Sequence, residues 1–343
     1  MAEIFWTHWN DEPAVGPLKK LFDAILLKEE SPFPDCIILP DFKPGEKILL
    51  FVRIPYLVTP EQNDSILFLV STLIDLIPSH STVTLFCEVS DPELEKVWIE
   101  KFPKLHSLAR CTFIKLPKPI QPISPFLTTP PKKDLLNQWF LPEDFVQADQ
   151  IIPIIPFEPS PVFGIFGLLS SFFWLTPTLV RNEILIQKNR DLRSAALMEI
   201  VSVVLPKITI SGLIFQDTAH FCVFGNDPAA VDAFSSALIG IKASSIATTK
   251  YCTIHKIAMG DLLKIHVQGE RFRKPLINHS KRFKPVFSLF IDPSRCNLCM
   301  ECIDRCPLQC IFEDNSILYY KKQLCNFCGY CVELCPKKAI SEV

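Results

Sequence analysis

Glycine is scarce in this chain, ten of 343 residues, and neither G-x-G-x-x-G nor G-x-x-x-x-G-K-[ST] occurs. Phosphate cradles need close backbone approach, so the scarcity argues against a nucleotide loop. Excess charge is missing too: 35 basic against 37 acidic side chains leave a net −2. Such a balance gives no electrostatic case for binding nucleic acid. The seven histidines, His8, His80, His106, His220, His255, His266 and His279, form no H-E-x-x-H and no short metal-binding pair. Each is read as a satisfied core or surface residue. The N-terminus, Met1-Ala2-Glu3-Ile4, has neither a basic region nor an apolar stretch ending in small residues. No signal peptide is expected, and the thiols are expected to face a reducing cytoplasm where metals can reach them.

What is plentiful is apolar surface, 48% of residues, enough for one large core and a small module. No charge falls between Pro159 and Val180, and Val162–Val180 is nearly long enough to span a bilayer. Pro161, Pro177, Ser170-Ser171 and the lack of a flanking basic cluster argue against a span. A buried helix with its approach loop, or a partner-facing surface, is preferred over membrane contact.

Residues 1–285 read as an α/β domain with a mostly parallel sheet flanked by helices. Lys47–Arg53 is an apolar run suited to a buried strand. Thr59-Pro60-Glu61-Gln62 then gives a helix start, with Ile66, Leu69, Val70, Leu73 and Ile77 at helical spacing behind it. Thr82–Val89, Cys111–Leu116, Ile151–Ile155, Lys207–Ile210, Phe221–Phe224 and Leu263–Gln268 are further strands. Asp191–Leu205, Ala229–Ile239 and Ser244–Met259 are helices, the second opened by Asp227-Pro228 and closed by Gly240. Arg271, Arg273, Lys274, Lys281, Arg282 and Lys284 form a basic linker, about 271–285, or a docking strip for an acidic redox partner.

The chemistry is carried by residues 286–343, read as a small α+β ferredoxin-like domain. Of fourteen cysteines, Cys36, Cys87, Cys111, Cys222 and Cys252 are scattered, while nine crowd between Cys296 and Cys335. They spell Cys296-x-x-Cys299-x-x-Cys302-x-x-x-Cys306-Pro307 and Cys325-x-x-Cys328-x-x-Cys331-x-x-x-Cys335-Pro336, offset by 325 − 296 = 29 residues. This is the spacing of bacterial two-cluster ferredoxins. Three cysteines two residues apart on a tight loop can each reach a different iron of one cubane. The fourth, after three more residues, points toward the second cluster. On that rule Cys296, Cys299, Cys302 and Cys335 hold one [4Fe–4S] cluster, and Cys325, Cys328, Cys331 and Cys306 hold the other. A zinc ribbon would show two pairs and a longer spacer, not a triplet plus an outlier, twice. Cys310 stands where the second half has Ala339 and is read as a small buried residue rather than a ninth ligand. Met300 stands in the place of Gly329, so the first loop must accept a side chain beside its cluster. Lys337 and Lys338 are read as solvated surface.

Three stretches, Lys47–Pro55, Ala148–Ile155 and above all Asn226–Gly240 (NDPAAVDAFSSALIG), together resemble an uncharacterised family, domain of unknown function 362. That family often occurs beside a ferredoxin module. Its members usually carry Lys-x-His and Lys-Asn-Gly segments after the second of these strands. Here the region reads Phe157-Glu158-Pro159-Ser160-Pro161 and then the apolar Leu168–Trp174. The resemblance therefore implies that a polar site has been lost or changed. Within the third stretch Asp227 caps a helix, and Asp232, one turn on, orients a loop or faces a ligand; structure is the preferred role for both.

The function expected is single-electron transfer through two [4Fe–4S] clusters, in a subunit or module of an iron–sulfur oxidoreductase system with a redox partner protein. The alternative is a non-catalytic carrier or redox-responsive partner-binding protein. A polar pocket near a cluster would favour catalysis; a convex apolar patch at Leu168–Trp174 would favour docking.

Overall fold

A computed structural model describes residues 2–9, 42–54, 81–89, 111–115, 143–176, 178–216, 220–269 and 288–342, with isolated positions at 16–17, between 66 and 77, and between 272 and 277. The strands of the larger part are β1 (Ala2–Trp9), β2 (Lys47–Ile54), β3 (Thr82–Val89), β4 (Cys111–Lys115), β5 (Gln150–Pro156), β6 (Glu158–Ser160), β7 (Gly164–Phe166), β8 (Ser211–Gln216), β9 (His220–Gly225) and β10 (Ile265–Gly269). Its helices are α1 (Glu143–Gln147), α2 (Leu168–Ser171), α3 (Thr178–Leu185), α4 (Arg190–Val201), α5 (Pro228–Leu238) and α6 (Ala247–Ile254).

Eight strands make one sheet in the order β10-β1-β9-β8-β5-β2-β3-β4. Ladders β1–β10, β2–β3, β2–β5, β3–β4 and β5–β8 are parallel; β1–β9 and β8–β9 are antiparallel. The sheet is therefore mixed and mostly parallel, in keeping with the α/β expectation. Its centre lies where the sequence is apolar at successive positions: Ile48, Leu49, Leu50, Phe51 and Val52 are all buried, as a strand covered on both faces requires. Ile66, Leu69, Val70, Leu73 and Ile77 are buried as their helical spacing implies. The Thr59–Gln62 helix start and most of the basic linker lie outside the described residues.

Two strands depart from the sequence reading. Lys207–Ile210 is not a strand: Pro206 sits in a 3₁₀ turn, Leu205–Lys207, and only the bridge Ile151–Ile208 remains. The strand instead runs Ser211–Gln216, set by its register against β9. Ala2–Trp9, read only for targeting, is a sheet strand inserted between β9 and β10. The Ser244–Met259 helix is shorter, Ala247–Ile254, with a 3₁₀ turn before it.

Around α5 the expected caps are present. Asp227 accepts N–H bonds from Ala229 and Ala230 at 2.9 and 3.1 Å, Pro228 follows it, and Gly240 is left-handed at φ 77°. Asp232, fully buried on the same helix, reaches across to the uncharged stretch. It accepts N–H bonds from Leu168 (2.7 Å) and Leu169 (3.0 Å), so it anchors the start of α2. Gly167 lets it approach: a Cβ there would lie 2.9 Å from the Asp232 Cγ.

That stretch is core. β6 and β7 form a small hairpin, α2 and a 3₁₀ turn (Phe172–Leu175) follow, and Leu168, Leu169, Phe172 and Phe173 have no exposure at all. Among the described residues no helix is long and apolar enough to cross a membrane. The smaller part comprises β11 (Leu289–Ile291), α7 (Glu301–Asp304), β12 (Ile311–Asp314), β13 (Ile317–Tyr320), α8 (Tyr330–Leu334) and β14 (Ile340–Glu342). β11 pairs antiparallel with β14, and β12 with β13.

Candidate metal centre

The 29-residue repeat is a repeat of backbone geometry. Each half enters through a turn in which the first cysteine's N–H bonds back four residues: Cys296 to the Asp292 carbonyl (3.1 Å), Cys325 to that of Lys321 (3.2 Å). Two positions later Leu298 and Phe327 are left-handed at φ 53° and 51°, and Met300 and Gly329 again at 64° and 78°. This pair of left-handed residues curls the chain around its own sulfur, so Leu298 and Phe327 each donate an N–H to Cys296 Sγ and Cys325 Sγ at 3.4 Å. A short helix, α7 or α8, starts at once behind. The two halves then cross. Asp292, at the entrance of the first, donates to the Ala339 carbonyl at the exit of the second, and Lys321 donates to the Cys310 carbonyl, both at 2.8 Å. This exchange carries Cys335 to the first loop and Cys306 to the second.

Two cavities result. One is lined by Cys296, Cys299, Cys302 and Cys335. The other is lined by Cys306, Cys325, Cys328 and Cys331, with Cys302 and Cys310 also in its wall. Burial pushes the Cys302 and Cys328 thiols up to about 11, and Cys331 well above the usual thiol value. Thiolates crowded in so dry a place need positive charge among them, which iron would supply. Among the described residues no three His, Cys, Asp or Glu side chains converge as the ligands of a single ion would. The sulfurs ring two cavities instead, which fits a multi-iron group. Cys310 Sγ lies 3.5 Å from Cys306 Sγ, and its counterpart Ala339 donates an N–H to Cys335 Sγ at 3.2 Å. Cys310 thus fills the packing place of an alanine, at 2% exposure, with burial the largest cause of its raised thiol pKa.

Residues 288–336 match the family model of a 4Fe-4S dicluster domain. The C-terminal module therefore has an iron–sulfur, electron-transferring character. No curated protein matches the chain. Among solved structures it is similar to the lactate racemase apoprotein from Thermoanaerobacterium thermosaccharolyticum, at 12% identity and a TM-score of 0.38, over 68% of this chain and 54% of that one. The chain thus spans about half the length of that structure, and so distant a likeness carries no argument here.

Among the described residues the dicluster module meets the α/β part through its second loop and α8. Asn326 donates to the Leu185 carbonyl at 2.8 Å, and Ser160 Oγ donates to Glu333 Oε2 at 3.0 Å. Tyr330 meets the rings of Phe173 and Trp174, both at 5.8 Å between centroids, and the Arg181 guanidinium lies over Trp174 with its charge acting on Tyr330. Gly329 approaches Pro161 so closely that a Cβ would fall 2.9 Å from the Pro161 carbonyl carbon. Arg190 holds that carbonyl from behind, at 3.1 and 3.3 Å. Cys328 packs on the large core. In the first loop Asn297 and Cys299 are exposed.

Leu168–Trp174, read as either buried or partner-facing, is buried, Trp174 partly so, and its Phe173 and Trp174 form the platform under the chain's own second loop. Sequence reasoning did not find Tyr330, Asn326 or Arg193 as interface residues. One signal was available. Where the repeats differ, Gly329 against Met300 and Tyr330 against Glu301, the second half carries the residues of a buried contact.

Proposed function

We propose that the module holds two [4Fe–4S] clusters, one on Cys296, Cys299, Cys302 and Cys335 and one on Cys325, Cys328, Cys331 and Cys306. The chain then serves as a single-electron relay, a subunit or module of an oxidoreductase system in a reducing compartment. When bound, such clusters supply one-electron chemistry at potentials set by charge, hydrogen bonds and solvent exposure. The observation that carries the reading is that the eight motif cysteines line two neighbouring cavities, each drawing on both halves of the repeat, with Cys302 in the wall of both.

The chain's own residues supply position and environment. Left-handed Leu298, Met300, Phe327 and Gly329 aim the thiols inward, and the sulfurs of Cys296, Cys325 and Cys335 accept N–H bonds from Leu298, Phe327 and Ala339. The exposed Cys299 side lets an outside redox protein come close, while Tyr330, Trp174 and Phe173 exclude water from the other side. The α/β part is read as a relative of domain of unknown function 362, on the strength of Asn226–Gly240. Its former polar region is used to seat the module, which supports a scaffolding role over partner recognition through Leu168–Trp174.

The test is elemental analysis of the anaerobically purified chain. About eight irons and eight acid-labile sulfides per chain are expected from two cubanes. Stoichiometric zinc, or iron for one cubane only, would overturn the reading.

A further inference from the structure

Arg193 lies on α4 inside the α/β part, with 3% of its surface exposed. Its Nε and Nη1 have no hydrogen-bond partner, and no carboxylate pairs with it among the described residues. A buried guanidinium without a counter-charge is strongly destabilising, so a fold that keeps one has a compensating negative group nearby. The charged groups acting on Arg193 are two. Arg190, three residues earlier and engaged with the Pro161 carbonyl, repels it; Cys328 attracts it. Cys328 is the thiol of the docked loop that packs on the large core, and the loop lies against the start of α4, where Asn326 donates to the Leu185 and Gln187 carbonyls and Arg190 holds Pro161. One thiolate satisfies one charge only in part, but a cubane with four thiolate ligands is an anion in both of its oxidation states, and more negative by one when reduced.

The geometry points to Arg193 as the counter-charge of the cluster held by Cys325, Cys328, Cys331 and Cys306, raising its reduction potential above that of the other cluster. The assignment rests on the two-cluster reading. A fixed cation in a dry site stabilises the extra negative charge of reduction more than it stabilises the oxidised form. The first cavity, with Cys299 exposed, has no buried cation among the described residues: Lys337 in its lining is exposed to solvent, as are Asn297 and Glu301, the residues 29 positions from the docking loop's Asn326 and Tyr330. The two clusters, alike in ligands, are thereby made unlike in potential, with the electron favoured on the side facing the α/β domain.

The test is an EPR-monitored redox titration of the full chain in three forms: unaltered, Arg193→Met and Arg193→Lys. Iron and sulfide are counted first, so that failure to hold two clusters is seen separately from failure of the charge assignment. A Cys328→Ser variant marks the signal of the docked cluster through its changed ligand. Arg193→Met is expected to disfavour reduction of that cluster at least tenfold, about 59 mV for one electron, and to leave the other within threefold. Arg193→Lys is expected to recover most of the loss. Unchanged potentials in a cluster-loaded Arg193→Met chain, or equal shifts of both clusters, would overturn the assignment. Should the methionine variant not load, Arg193→Gln replaces it, and a glutamine chain matching the lysine chain in both potentials would overturn it equally.

Discussion

The first and second cysteine loops share spacing, left-handed positions and sulfur hydrogen bonds, yet one faces solvent and the other is built into a wall. What separates them is a handful of side chains. Met300 and Glu301 become Gly329 and Tyr330, and Asn326 finds the Leu185 carbonyl where its counterpart Asn297 is exposed. A duplicated motif therefore gives two cysteine sets of one spacing, and docking of one half gives them different surroundings. In metal sites of this kind potential, access and stability are tuned outside the ligand set.

Exchanging the left-handed residues that precede α7 and α8, Met300 and Gly329, is the strongest way to break this contrast. Gly329→Met would put a Cβ against the Pro161 backbone at a left-handed position. We expect a loss of docking of about 2–4 kcal/mol, from roughly 1–2 for the conformation and the remainder from overpacking. Met300→Gly, at a left-handed position with no such wall, should be neutral or stabilising by up to about 1 kcal/mol. Hydrogen exchange across Asn326–Leu334 reads the difference: strong loss of protection in the first variant and none in the second.

A second, smaller effect probes the platform beneath the docked loop. Burial, the largest cause, raises the Asp232 carboxyl from 3.8 to about 7, against the two N–H bonds from Leu169 and Leu168 that favour its anion. The folded state thus holds this proton more tightly than the unfolded chain. The stability it contributes is full below about pH 4 and is lost as pH rises through 7. Between pH 6 and pH 8 the loss is about 1 kcal/mol, at 1.36 kcal/mol per unit. Urea midpoints at those two pH values should show it in the natural chain and not in Asp232→Asn; equal slopes in both would remove Asp232 from this role.

The smallest effect is the most discriminating. Asn326→Ala should cost about 1 kcal/mol for its lost bond to the Leu185 carbonyl, and Asn297→Ala less than about 0.5. Equal costs, measured as thermal midpoints of the loaded proteins, would mean the two loops are not differently held.

The α/β class was legible because its central strand is apolar at every position, from Ile48 to Val52, and because Asp227-Pro228 and Gly240 bracket α5 with their capping chemistry. The cysteine repeat was legible from spacing alone. Three things were not. Ala2–Trp9 mixes aromatic and polar residues and gains its strand character only between two partners distant in sequence. Lys207–Ile210 looks like a strand until Pro206 tightens it into a turn. The docking of the second loop, with Arg193 under it, depends on Ser160, Pro161, Phe173 and Leu185 meeting residues 326–333 across more than a hundred positions. Periodicity carries no such information, although the mismatched positions between the repeats mark which half is buried.

The central claim is that both cavities hold a cubane within one small module. Its most direct test is the EPR spectrum of the anaerobic chain after dithionite reduction. Two reduced clusters so close together are expected to give a complex signal broadened by magnetic interaction, reverting to a simple one-cluster signal when only half the reducing equivalents are added. A simple signal at full reduction integrating to one spin per chain, or no iron signal at all, would contradict the account.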